Sequence, residues 1–154
     1  MVTDGEAIIG DERYELVLRA RPSASPAPKR YVYAFVIDSS GKSTLLFPPP
    51  NSGSVGNHIE PSLHDTEIPL GEDSAFSTGP PYGIDTYFLL STDDPLPNPS
   101  ILEWDGVRAP EAHSPLEQLL LQPTRALGVA VPTKWSITKT TFESLAPHTT
   151  KAAQ

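Results

Sequence analysis

Apolar and polar residues alternate along Glu12–Ala20 (ERYELVLRA), with Tyr14, Leu16, Leu18 and Ala20 on one side and Arg13, Glu15, Val17 and Arg19 on the other. A period of two predicts a half-buried strand. After a polar Pro/Ser/Ala loop, Tyr31–Asp38 (YVYAFVID) is apolar on both faces and rich in β-branched and aromatic residues. This predicts a central strand covered on both sides. Ser39–Lys42 (SSGK) reads as a turn and Ser43–Phe47 (STLLF) as the returning hairpin strand. Gly83–Thr92 (GIDTYFLLST) is a second strong strand, and Lys134–Ser144 (KWSITKTTFES) a third. Weaker patterns at Asp65–Leu70 and Ser74–Thr78 suggest short strands. Pro69 restricts the first of these to a sheet edge, where it would be open to another chain.

Between these strands the chain is broken repeatedly. Residues 48–62 (PPPNSGSVGNHIEPS) read as a long loop without regular structure, and DDPLPNPS ends the Gly83–Thr92 strand. One short helix is predicted near residues 115–122. Ser114 is its N-cap, Pro115 its first residue and Glu117 completes a capping box, and Pro123 ends it. The pattern as a whole predicts an all-β, β-sandwich-like fold with one short helix. It forms a single β-rich domain over residues 1–146, followed by a flexible tail over 147–154.

Composition sharpens this picture. Eighteen of 154 residues are proline, more than twice the usual share of about 5%. Proline removes a backbone donor and fixes φ, so apolar runs in such a chain become short strands joined by stiff loops. The formal net charge is −8, with 11 Lys and Arg and no basic cluster. That argues against a nucleic-acid partner, since phosphate backbones demand positive charge. No apolar run reaches the roughly 18 residues of a membrane span, so no direct membrane insertion is expected. With no cysteine, thiolate chemistry, disulfides and Cys-based zinc sites are excluded. The compartment stays open. Patterning begins close to Met1, and the chain reads as a piece of a longer protein.

Candidate chemistry is sparse. Gly41-Lys42-Ser43-Thr44 matches the end of a phosphate-binding loop, but the first glycine of that motif would fall at Val36, inside a strand. A helix must also follow so that its amides face the phosphate, and TLLFPPP follows instead. The segment therefore reads as a hairpin turn. His58–Asp65 (HIEPSLHD) gathers two histidines and two acids, enough donors for a metal in principle. The plainer reading is a polar surface loop, and neither a metal nor another cofactor is expected. Asp93 and Asp94 are read as turn formers rather than calcium ligands. No G-x-S-x-G motif is present, and Ser54, Ser74 and Ser91 carry no signature of a nucleophile. Trp104, beside Asp105-Gly106, and Tyr82, in GPPYG, are loop aromatics. Either they stack on a sugar or peptide, or they fold back over the sheet edge. With Asn57 and His58 of the long loop they are the candidate binding residues.

Taken together, ERYELVLRA, YVYAFVIDSSGKSTLLFP, Asn57 and Ile59 in the loop, Ile68-Pro69, and PPYGIDTYFLLSTDDPL resemble a bacterial domain of unknown function, the 4384 family of such domains. The resemblance covers Glu12 to Leu96, with Tyr82 interposed between the proline pair and Gly83 as a departure. It implies an accessory β-domain of the kind appended to caspase-like peptidases, kinases and envelope proteins, and it carries no catalytic residue. The expected function is a non-catalytic protein-interaction module that regulates an attached catalytic domain or binds a protein partner. A glycan-binding module using Trp104, Tyr82 and the Asn51–His64 loop is the alternative, followed by a hydrolase or metal enzyme built on His58, His64 and Asp65.

Overall fold

In a computed structural model the chain is described over residues 6–19, 28–49, 56–60, 67–71, 75–105 and 134–148. Eight strands are present: β1 Ala7–Ile9, β2 Val17–Arg19, β3 Arg30–Ile37, β4 Ser43–Phe47, β5 His58–Ile59, β6 Glu67–Pro69, β7 Ile84–Thr92 and β8 Trp135–Leu145. The fold is all-β. The main sheet runs β1-β8-β7-β3-β4, with β5 paired to the start of β3, and β2 and β6 form a separate two-stranded sheet. Every pairing is antiparallel except β1 with β8, which is parallel. The helix expected near 115–122 lies outside the described residues, as does the tail from residue 149 onward.

The two continuous apolar runs became the two inner strands, as their two-faced patterning requires. On one face of the sheet Tyr33, Phe35, Leu45 and Leu90 pack under Leu96 and Leu102, and Phe35 and Leu102 are fully buried. The Tyr33 hydroxyl accepts a hydrogen bond from the Leu96 amide at 2.8 Å, fixing the covering segment to the sheet. A short 3₁₀ helix, Pro99–Leu102, carries Leu102 into this core, with Asn98 accepting from Ser100 as its cap. On the other face the half-buried Leu16 and Leu18 sit over Ala34, Tyr87 and Leu89, leaving between the two sheets an apolar cavity of about 250 Å³. Phe76 bridges Tyr14 and Tyr87, and Tyr87 meets Phe142 edge-on.

Three expectations needed correction. The alternation from Tyr14 to Leu18 holds in burial, but only Val17–Arg19 is strand, and Tyr14 makes an isolated bridge to Phe76. That bridge is all that remains of the strand expected at Ser74–Thr78. The long loop after Pro48 is not wholly irregular, because His58–Ile59 pairs with Arg30 and Tyr31. The short edge strand expected within Asp65–Leu70 is present as β6, paired to β2 with Leu18 opposite Ile68.

Candidate functional site

The residues with chemical character gather at the two ends of the main sheet. At the first end lies the β3–β4 turn. Gly41 takes φ +85°, a conformation that favours glycine, and its amide donates to Asp38 O at 2.9 Å. The Asp38 carboxylate accepts from the Ser40 and Lys42 amides at 2.8 and 3.1 Å and from the Ser40 hydroxyl at 2.6 Å. The Ser40, Gly41 and Lys42 amides are thus all taken by Asp38, and β4 follows directly where a phosphate loop needs a helix. Trp104 lies against this turn. Its indole N–H donates to Gly41 O at 3.0 Å, and its backbone bridges Ser43. The ring packs on the core cluster around Phe35.

Tyr82 is half-buried over Gly10. A Cβ at Gly10 would lie 2.7 Å from the Tyr82 ring, so the glycine makes the approach possible. Beside it, the Gly83 amide donates to Ser144 Oγ at 3.1 Å and the Ser144 amide to Gly83 O at 2.7 Å.

Asp85 is only 4% exposed and accepts from the Ser39 amide at 3.2 Å. Its burial raises its pKa above the ordinary carboxylate range. Hydrogen bonds from Ser144 and Ser39 work the other way, and the Asp38 charge adds to the rise. Tyr87, also raised by burial, has Asp85 and Tyr14 as its charged and polar neighbours. For an acid with a raised folded-state pKa, the native state holds more protons than the unfolded one between the two values. Stability therefore falls as pH rises through that window. Asp85→Asn keeps a carbonyl oxygen for the Ser39 amide. Urea unfolding across a pH series is expected to show the parent losing stability relative to this variant as pH climbs above about 4. A parent that gains on the variant over the same range contradicts the assignment.

The second end holds Asn57 and His58. Asn57 is buried, with its side-chain amide donating to Val32 O at 3.2 Å and its carbonyl accepting from Val32 N at 2.9 Å. It clips the loop onto β3. His58 is exposed and stacks on Tyr31 with ring centroids 4.2 Å apart. Tyr31 and Ile37, the β3 positions nearest the two ends, are six residues apart, or about 20 Å along a strand. Of the four candidate binding residues only the neighbours Asn57 and His58 lie together; Trp104 is at β4 and Tyr82 at Gly10 beside β1, on opposite sides of the strand order. His64, Asp65, Ser54 and Ser74 lie outside the described residues. Among the described residues no group of three potential metal ligands converges. Asp93 accepts from the Lys134 and Asp94 amides at 3.1 Å each, as a turn former does. Ser91 is held by the Arg30 guanidinium at 3.1 Å and by the Ser136 hydroxyl at 2.7 Å.

One feature carries no side-chain signature. Along β8 the Ser144 amide points to β7, where it meets Gly83 O, and the Leu145 carbonyl points the other way, to Gly10 N. N–H and C=O of one residue share a side, and the side alternates along a strand. Ser136, Thr138, Thr140 and Phe142 therefore bond to β7, while Trp135, Ile137, Lys139 and Thr141 face outward. Strand β1 pairs only with Glu143–Leu145. The outward groups from Trp135 to Thr141 therefore form an edge that no described strand pairs. Reasoning from side chains missed this edge. The only clue in the sequence was that KWSITKTT lacks the prolines that break so much of the chain.

Comparison with protein-family models, with curated proteins and with solved structures finds no match. The family resemblance therefore rests on the sequence motifs alone.

Proposed function

We propose that this chain is a non-catalytic interaction module that takes up an extended segment of a protein partner along the edge of β8 that no described strand pairs. The observation carrying this reading is the row of outward backbone groups at Trp135, Ile137, Lys139 and Thr141. Unpaired strand edges template the addition of another strand, with main-chain hydrogen bonds supplying affinity. The reading assigns the chain no turnover of its own. The partner is either a separate protein or a catalytic domain of the same polypeptide, such as the caspase-like peptidase that the resemblance implies. In the second case, strand uptake would regulate that domain.

Selection of random octapeptides against the chain tests the reading, with Lys139→Pro as the edge-blocking variant. Proline at this outward-facing position removes a docking donor and places its ring in the path of the incoming strand. Peptides that bind the parent and lose at least tenfold more affinity on Lys139→Pro than on Lys139→Gln support the reading. Peptides that bind Lys139→Pro as well as the parent overturn it.

A further inference from the structure

Six of the seven lysines and arginines among the described residues, all but Arg13, fall into two groups. Arg19, Lys29 and Lys42 are ion-paired, with Glu67 at 3.2 Å, Glu60 at 3.5 Å and Asp105 at 3.8 Å. Arg30, Lys134 and Lys139 have no carboxylate within ion-pair distance among the described residues. Lys134 and Lys139 flank the half of β8 that no described strand pairs, and Arg30, two strands in on β3, reaches over β7 to Lys134 O. The run Lys134–Phe142 contains two lysines and no acid, and the first acid is Glu143, where β1 takes over the edge. The Asp93 carboxylate accepts from the backbone amides of Lys134 and Asp94.

Arg30 does not dangle. Its Nε donates to Ser91 Oγ and its Nη2 to Ser91 O, both at 3.1 Å, and Nη2 also reaches Lys134 O at 3.3 Å. This holds the guanidinium at the start of β8 before any ligand arrives, so little further ordering is needed when one does. Beside it Trp135 is 45% exposed, and Arg30, Lys134, Trp135 and Ser136 line an open hollow with Pro28 and Ser91. Arg30 shares its face with Ser91 and Ser136, whereas Lys139 lies on the opposite face with Trp135 and Ile137. A strand added to this edge therefore meets positive charge on both of its faces, on a chain whose net charge is −8.

From this juxtaposition we infer that the segment taken up by β8 is acidic, with its carboxylates toward the Trp135 end. The inference rests on the edge-docking reading and deepens it. The same octapeptide selection separates the two. Peptides sensitive to Lys139→Pro are expected to be enriched in Asp and Glu. A selected acidic octapeptide is expected to weaken at least fivefold between 50 and 300 mM NaCl, as screening shortens the reach of the exposed cations. It should also weaken severalfold with Lys134→Gln and with Lys139→Gln, exposed positions whose loss leaves the fold intact. Arg30→Gln should cost less, because its guanidinium is held on the β7 side of β8. Edge-blocked peptides that are neutral or basic, or whose binding ignores salt, overturn the inference and leave the docking reading standing. Self-association of the chain that Lys139→Pro abolishes also overturns it, since the occupant would then be a second copy. Absence of any edge-blocked peptide removes the reading itself.

Discussion

Phe35→Ala is expected to cost about 3–5 kcal/mol, the range for deleting a large aromatic from a packed interior. Phe35 is fully buried and stacks on Phe88 with centroids 5.0 Å apart. It also lies under Leu45, Leu90, Leu96 and Leu102, so truncation removes contacts on every side at once. The site has little room to collapse, because Phe35 sits on the inner strand β3, paired to β4 and β7 at this position. Against a typical domain stability of about 5–15 kcal/mol, the loss should leave a substantial unfolded population at room temperature. Denaturant unfolding measures it directly, and Phe35→Leu, closer in volume, should lose about half as much. A cost below about 1 kcal/mol for the alanine variant would mean that Phe35 is not at the centre of the core.

The second large effect comes from two prolines one residue apart. Thr138 pairs with Leu89 in the middle of the β7–β8 ladder, with its N–H directed at β7. Thr138→Pro removes that bond and drives the ring toward the neighbouring strand, at a cost of about 3 kcal/mol or more. The N–H of Lys139 faces outward, where proline is tolerated, and Lys139→Pro is expected to cost about 1 kcal/mol, mainly through the fixed φ. Thermal or urea unfolding of both variants decides the matter. Equal losses would show that the alternation along β8 is out of phase with the description above. Hydrogen exchange gives an independent reading, with slow amides at Ser136, Thr138 and Thr140 and fast ones at Ile137, Lys139 and Thr141.

What could be read from the sequence follows from where the information resides. Strands β3, β4, β7 and β8 were visible because burial on one or both faces requires runs such as YVYAFVI and TYFLL. The turn was visible because Asp38 and Gly41 are the residues a tight reversal requires. Strand β1 was not, because three residues, Ala-Ile-Ile, carry no period. They are strand only because Glu143–Leu145 lie beside them. Strand β5 is likewise imposed from outside, by Asn57 clipping its loop to Val32. Leu96 and Leu102 belong to the core although they sit in a proline-rich stretch that reads as a connection. For the candidate site the limit is more basic. Loop aromatics, histidines and acids can be picked out of a sequence, and Trp104, Tyr82 and Asn57 were, yet all three are engaged in holding the fold. An unpaired strand edge is a property of backbone and topology and leaves no residue type to find.

The parallel partnership of β1 with β8 has a consequence for biosynthesis. Glu143 leaves the ribosome 136 positions after its neighbour Ala7. Until then Ile8, one of the most deeply buried side chains, has nowhere to go, and β7 lacks its outer neighbour. The nascent chain must therefore carry an unpaired apolar segment and an open sheet until those residues emerge. Closure of this edge waits for β8, so its formation is expected to be late and slow, and holdase chaperones would be most useful before residue 145 emerges.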